Sequence, residues 1–266
     1  MDPGLFIGIG VALFMILLGN SLEGGHLGSI VQGTAAMIVI GGTIGAVLVQ
    51  FPLGVCAAAV KSIGKLVKKP GGNAAKLVDE IVDYANRARR EGILGLEKLA
   101  PGASDPFLSK ALMMAVDGAD SNTIRDTLEI LIAEEEEHGE NAAKVYEAAG
   151  GYSPTIGIIG AVMGLIQVMK NLSDIDKVGH GIAVSFVATV YGVALANIFL
   201  LPAANKMKAR VLQDSHMREM MLEGVTGIVE GLNPKLIRSK LEAYAPPKPE
   251  KVKKGALPVP ETEAGD

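Results

Sequence analysis

Charge is missing from the longest apolar stretches of this 266-residue chain, so they hold no carboxylate, lysine or arginine that could carry a proton. Cysteine is almost missing too. Cys56 alone excludes an internal disulfide and any cysteine-cluster metal site, and it reads as an ordinary small apolar residue. The four histidines, His26, His138, His180 and His216, fall in no His-x3-His or His-Glu-x-x-His spacing and read as solvated or interfacial. Positive charge is not in excess either. With 25 Lys and Arg against 29 Asp and Glu the net charge is −4, which argues against nucleic acid as a partner, since phosphate binding wants a basic surface. No nucleophile–base constellation and no phosphate loop supports an enzyme, and no cofactor is expected.

What the chain does have is segregation. Apolar residues make up 49% and mean hydropathy is +0.34, yet 20% of residues are charged, so the apolar content must lie in blocks. Four blocks approach the ~20 residues that a helix needs to cross a bilayer. The first covers residues 3–22, between Asp2 and Glu23; it lacks the basic region and cleavage site of a signal peptide and is expected to be retained. The second is most span-like over 30–51, with Pro52 closing it. The third and fourth, 153–170 and 181–203, form a hairpin around the polar link KNLSDIDKVGH. Gly157, Gly160 and Gly164 share a helical face in the third, as do Ser185, Thr189, Gly192 and Ala196 in the fourth. Such stripes let backbones approach closely where lipid supplies no hydrophobic drive between helices. Gly41, Gly42, Gly45 and Ala46 suggest the same for the second. Pro154 and Pro202 are placed at the cytoplasmic ends of the third and fourth helices, where each permits a bend.

The expected fold is therefore an all-α membrane protein with two plus two spans. Twelve Lys or Arg lie between the second and third spans and eleven after Pro202, while the third-to-fourth link holds Lys170 and Lys177 and the first link none. By the positive-inside rule the loop 53–151 and both termini are cytoplasmic. The loop reads as helices. Leu77, Ile81, Tyr84 and Ala88 repeat at helical spacing up to Gly92; Asp105-Pro106 opens a second helix that Gly118 ends; Ser121 is expected to cap a third. The acidic run 134–137 is a solvated face on the plainest reading and a docking surface on the sharper one. Residues 204–244 continue the fourth helix to a break at Asn233-Pro234, and 245–266, rich in Pro, Lys and Glu, read as a disordered tail.

The phrases RREGILGLEK at 89–98, SPTIGIIGAVMGLI at 153–166, GIAVSFVATVYGVALANIFLLPAANKMK at 181–208 and GGTIGAVLVQFPL at 41–53 resemble the MotA family of flagellar motor stator subunits. The resemblance spans nearly the whole chain and fades only in the tail; the related TolQ and ExbB proteins have three spans. It implies a multi-pass subunit of the bacterial inner membrane, five copies of which surround two copies of a one-span, peptidoglycan-binding MotB-like partner. Ion flow through that assembly turns it against the rotor. It further implies that Arg89 and Glu97 engage the rotor's switch protein, that Pro154 and Pro202 couple membrane events to the cytoplasmic part, and that Thr189 lies near the partner's ion-carrying carboxylate. Each has a plainer reading: surface charges, helix ends, and a threonine bonded to its own helix.

One expectation is independent of the resemblance. With no ionisable carrier in its spans, the chain can line a pathway with Thr189, Ser185 and backbone groups, but the carrier must come from another chain. Sodium-driven members of the family resemble this chain but tend to have threonine where it has Ala161 and Ala188. Sodium needs oxygen ligands in place of its hydration shell and a proton needs only an acceptor, so a proton is the expected ion, with sodium as the alternative. The competing functions are an energiser of a non-flagellar process and, with less support, a self-sufficient transporter.

Overall fold

The computed structural model describes residues 3–67 and 74–244. Asp2, Lys68, Lys69 and the tail expected to be disordered, 245–266, lie outside them. The described residues contain helices and no strand.

Helix α1, Pro3–Leu22, is apolar all round and buries none of its residues in this chain. A helix without a polar face has lipid or another subunit as its solvent. Helix α2, Leu27–Gln50, is interrupted, because Val31 and Gln32 are extended, and it widens to a π-helical turn over Met37–Gly41. Its inward face is Ala35, Val39, Thr43 and Val47 rather than the glycines. Of the small residues expected to make close contact, Gly42 meets Ile156 while Gly41 and Gly45 face open space outside the chain. The side that can fill the groove turns inward, and glycines leave the other side bare.

After extended Phe51 and Pro52, α3, Leu53–Val67, packs along a long helix, α6 (Ser121–Lys170), through Ala59, Ala142, Val145 and Ala149. The Tyr146 hydroxyl donates to the Ala59 carbonyl at 2.9 Å. Burial pushes that phenol up to about 12, so it remains a donor at any physiological pH.

Helix α4, Ala74–Glu91, ends at Gly92, whose φ of 77° is a conformation that suits glycine. Helix α5, Pro106–Val116, starts as expected, with Asp105 accepting from the Phe107 N–H at 2.8 Å. The next cap is Asp120 and not Ser121. Its carboxylate accepts from the Thr123 N–H at 2.7 Å, a stronger acceptor than a hydroxyl would be, and that bond holds the carboxyl below its usual range.

The largest departure from expectation is continuity. The helix begun at Asp120 does not stop before the membrane. It runs as α6, Ser121–Lys170, for 50 residues, roughly 75 Å at 1.5 Å per residue. Helix α7, Ile175–Val229, is 55 residues long and ends near Gly231. Pro154 and Pro202 thus sit inside helices and not at their ends. Each ring removes one backbone bond and crowds the carbonyl four residues earlier. In α7 a π-helical turn over Leu195–Leu200 immediately precedes Pro202 and gives that carbonyl a wider ring. Four helices, α1, α2, α6 and α7, are long and apolar enough to cross a membrane.

Outside the spans, α4, α5, the first part of α6, the end of α7 and α8, Pro234–Glu242, close around one apolar core that includes Ile81, Leu112, Leu128, Met220 and Leu241. Part of the acidic run braces this body. Glu135 pairs with Arg218, and the Ser215 hydroxyl donates to Glu136 at 2.9 Å, so these two carboxylates tie α6 to α7 while Glu137 stays exposed.

Candidate functional site

The hairpin of α6 and α7 is closed by a seam of small residues. A methyl built at Gly157 would lie 2.9 Å from the Ala188 carbonyl oxygen, one at Gly160 would lie 2.8 Å from the Ala188 Cβ, and one at Gly192 would lie 2.6 Å from the Ser153 carbonyl oxygen. The backbones therefore touch directly, as the spacing of the stripes led one to expect.

This seam sorts the candidate pathway residues. Ser185 is buried in it and donates to the Gly181 carbonyl at 2.9 Å. Ala188 is fully buried beside Gly160. Thr189 lies one position round the helix, half-buried, and donates to the Ser185 carbonyl at 3.3 Å. Ala161 is half-buried on the flank of α6. A hydroxyl that spends its proton on its own helix still offers oxygen lone pairs to a cation or a water. For Thr189 those lone pairs lie at the edge of the subunit; for Ser185 they lie inside the helix contact.

Two features of this region had no sequence signal. A cleft of about 400 Å³ runs between α2, α6 and α7, with Gly160 and Gly164 at its floor and Gln167, Lys177 and His180 at its rim. At the interruption of α2, the Tyr191 hydroxyl donates to the Ile30 carbonyl at 2.7 Å and accepts from the Gln32 N–H at 3.1 Å. A break in a membrane helix frees backbone groups that lipid cannot satisfy, and Tyr191 satisfies one of each kind.

Arg89 and Glu97 are far from the seam in sequence and lie on the helical body. Arg89 is exposed in the last turn of α4, and Glu97 is exposed just after the 3-10 turn Ile93–Leu96. Neither forms an ion pair among the described residues. Between them in sequence Leu94 is 72% exposed, an apolar side chain in a charged surface, which sequence periodicity could not mark. The surface is held from beneath by Leu96 and Ala100, both fully buried. Behind it, Ile81 of α4 packs against Gly224 of α7.

Four helices long and apolar enough to cross a membrane, a close-packed hairpin between two of them and a helical body mounted on that hairpin define an all-helical membrane subunit. Residues 100–220 match the model of the MotA/TolQ/ExbB proton channel family, and residues 6–92 match that of the motility protein A N-terminal region. The chain is 35% identical to motility protein A of Bacillus subtilis over 93% of its own length and 92% of that protein. It is 32% identical to chemotaxis protein PomA of Vibrio alginolyticus over 92% and 95% of the two lengths. The solved structure of C. jejuni MotAB superposes with a TM-score of 0.89 at 29% identity, covering 96% of this chain and 100% of that one. The chain belongs to the MotA/TolQ/ExbB proton channel family, and its function is that of a flagellar stator ion-channel subunit.

Proposed function

We propose that five copies of this chain surround two copies of a one-span, peptidoglycan-binding MotB-like partner in the bacterial inner membrane. Protons pass between the partner's carboxylate and the Thr189 edge of α7, and the helical body, in the cytoplasm with both termini, turns the rotor through Arg89 and Glu97. The observation that carries this reading is the absence of any charged side chain from the four spans, short of Lys170 at the end of the third, beside a half-buried, oxygen-bearing Thr189. Ser185, Ala188 and Ala161 complete the wall, mainly by packing. The similarity to MotAB stator complexes supports a partner and an oligomer. The overwhelmingly basic flank of the second span and of the fourth supports the orientation.

The proton assignment rests on Ala161 and Ala188. Threonine at these two positions would add hydroxyl oxygens to the hairpin that carries Thr189, and methyl groups cannot replace sodium's hydration shell. Swimming speed is expected to be unchanged when sodium is replaced by potassium at fixed pH and membrane potential, and to fall when a protonophore is added. A steep dependence on sodium would overturn the assignment.

The prolines give a second test. Their positions inside continuous helices, between the membrane hairpin and the body, support a coupling role. Substituting Pro154 or Pro202 by leucine preserves apolar length and restores a backbone donor, so membrane insertion is expected to be intact while speed under load falls severalfold. Normal speed under load in both variants would remove the prolines from the mechanism.

A further inference from the structure

Ser153 is fully buried, and its hydroxyl donates across the seam to the Gly192 carbonyl at 2.9 Å. It is the residue just before Pro154, on the side of α6 that leads to the helical body. Gly192 lies on the membrane side of the soft part of α7, before the π-helical turn Leu195–Leu200 and Pro202. The bond therefore lies level with the Gly157–Gly192 backbone contact, at the membrane-side edge of the level at which both helices are weakened.

The surroundings isolate that bond. On the membrane side, Gly157 and Gly192 bring the backbones into contact, with Pro154 Cα 3.2 Å from where a Gly192 methyl would sit. On the body side, Gly150 packs against Leu200 and Leu201, and Lys208 meets Glu147 at 2.7 Å. The two helices thus travel as a pair on either side, and the compliant level between them contains Pro154, the π-helical turn and Pro202. Ser185, Thr189 and Thr226 each donate to a carbonyl three or four residues back in their own helix. Ser153 instead spends its hydroxyl between helices.

We infer that Ser153 is a positioning residue that latches the hinge between the membrane hairpin and the helical body, so that displacement at the Thr189 edge reaches the body as force and is not lost in slack. A hydroxyl in this position has a ready alternative, the carbonyl of its own helix four residues back, so the latch can open at little cost and close again. The inference rests on the torque-producing role proposed above, but its structural half can be tested without a motor.

The test compares Ser153→Ala with Ser153→Thr in the full chain purified with its partner, by amide hydrogen exchange. Loss of one net hydrogen bond corresponds to about a fivefold faster local opening, expected at amides 192–201 in Ser153→Ala. Residues 220–229 in the body core are expected to keep their rate, and Ser153→Thr, which retains the hydroxyl, to return 192–201 toward the parent rate. On motors, stall torque per stator unit is expected to fall at least twofold in Ser153→Ala while low-load speed stays near the parent value. Unchanged exchange at 192–201, equal acceleration everywhere, or failure of Ser153→Ala to accumulate would assign Ser153 to packing alone and overturn the latch. If the unmodified chain drives no rotation, the stator reading fails instead, and the exchange result still decides the latch.

Discussion

Reversing both loop charges, Arg89→Glu together with Glu97→Arg, is expected to abolish swimming while the protein accumulates in the membrane and co-purifies with its partner at normal levels. Both side chains are exposed and neither is in an ion pair among the described residues, so nothing in the fold depends on their sign. Isolated substitutions on such a surface change stability by less than about 0.5 kcal/mol. The apolar support beneath, Leu96 and Ala100, is untouched. A loss of torque would thus report a lost contact and not a lost fold, and reversal of the matching rotor charges should partly restore it. Measured swimming speed and membrane abundance together decide the point. Normal swimming by the double variant would remove Arg89 and Glu97 from the rotor contact.

The second large effect is expected in vesicles. The chain reconstituted alone should pass no more ions than empty liposomes, and reconstitution with its one-span partner should open a flux. A charged group at the bilayer centre costs about 2.5–3.5 kcal/mol or more, and ion-transporting proteins keep one there only because the ion needs a carrier. The four spans contain none short of Lys170, the last residue of the third. The hydroxyls of Ser185 and Thr189 have spent their protons on their own helix, and neither titrates in any useful range. An ion flux from the chain alone would show a pathway that no side chain of the spans accounts for.

Span number and helix class were legible in the sequence because hydrocarbon thickness and backbone satisfaction leave few solutions. The small-residue stripes of the third and fourth spans were legible for the same reason: Gly157, Gly160, Gly164 and Gly192 have no purpose on a lipid-facing surface. Continuity was not legible. Pro154 and the polar-to-apolar change at residue 153 both suggest a boundary, yet a helix held on one side by an antiparallel partner can run through a proline, and sequence does not show the partner. The α2 glycines could not be sorted from sequence either, since Gly42 meets Ile156 while Gly41 and Gly45 make no contact within this chain. Part of the acidic run had a structural use, in Glu135–Arg218 and Ser215–Glu136, that required knowing that α6 and α7 run side by side beyond the membrane. Tyr191 and Ser153 were invisible for the deepest reason. Each satisfies a backbone carbonyl on another helix, and a carbonyl is the same at every position of the chain.

Torque in single motors tests the central claim most directly. Cells lacking their own stators should be supplied with this chain, its one-span partner or both, and the rotation of a bead on one flagellar stub recorded. Co-expression is expected to restore rotation in discrete, equal steps as units join the motor, while either protein alone restores none. Absence of rotation when both proteins are in the membrane together, or rotation driven by this chain without the partner, would contradict the account.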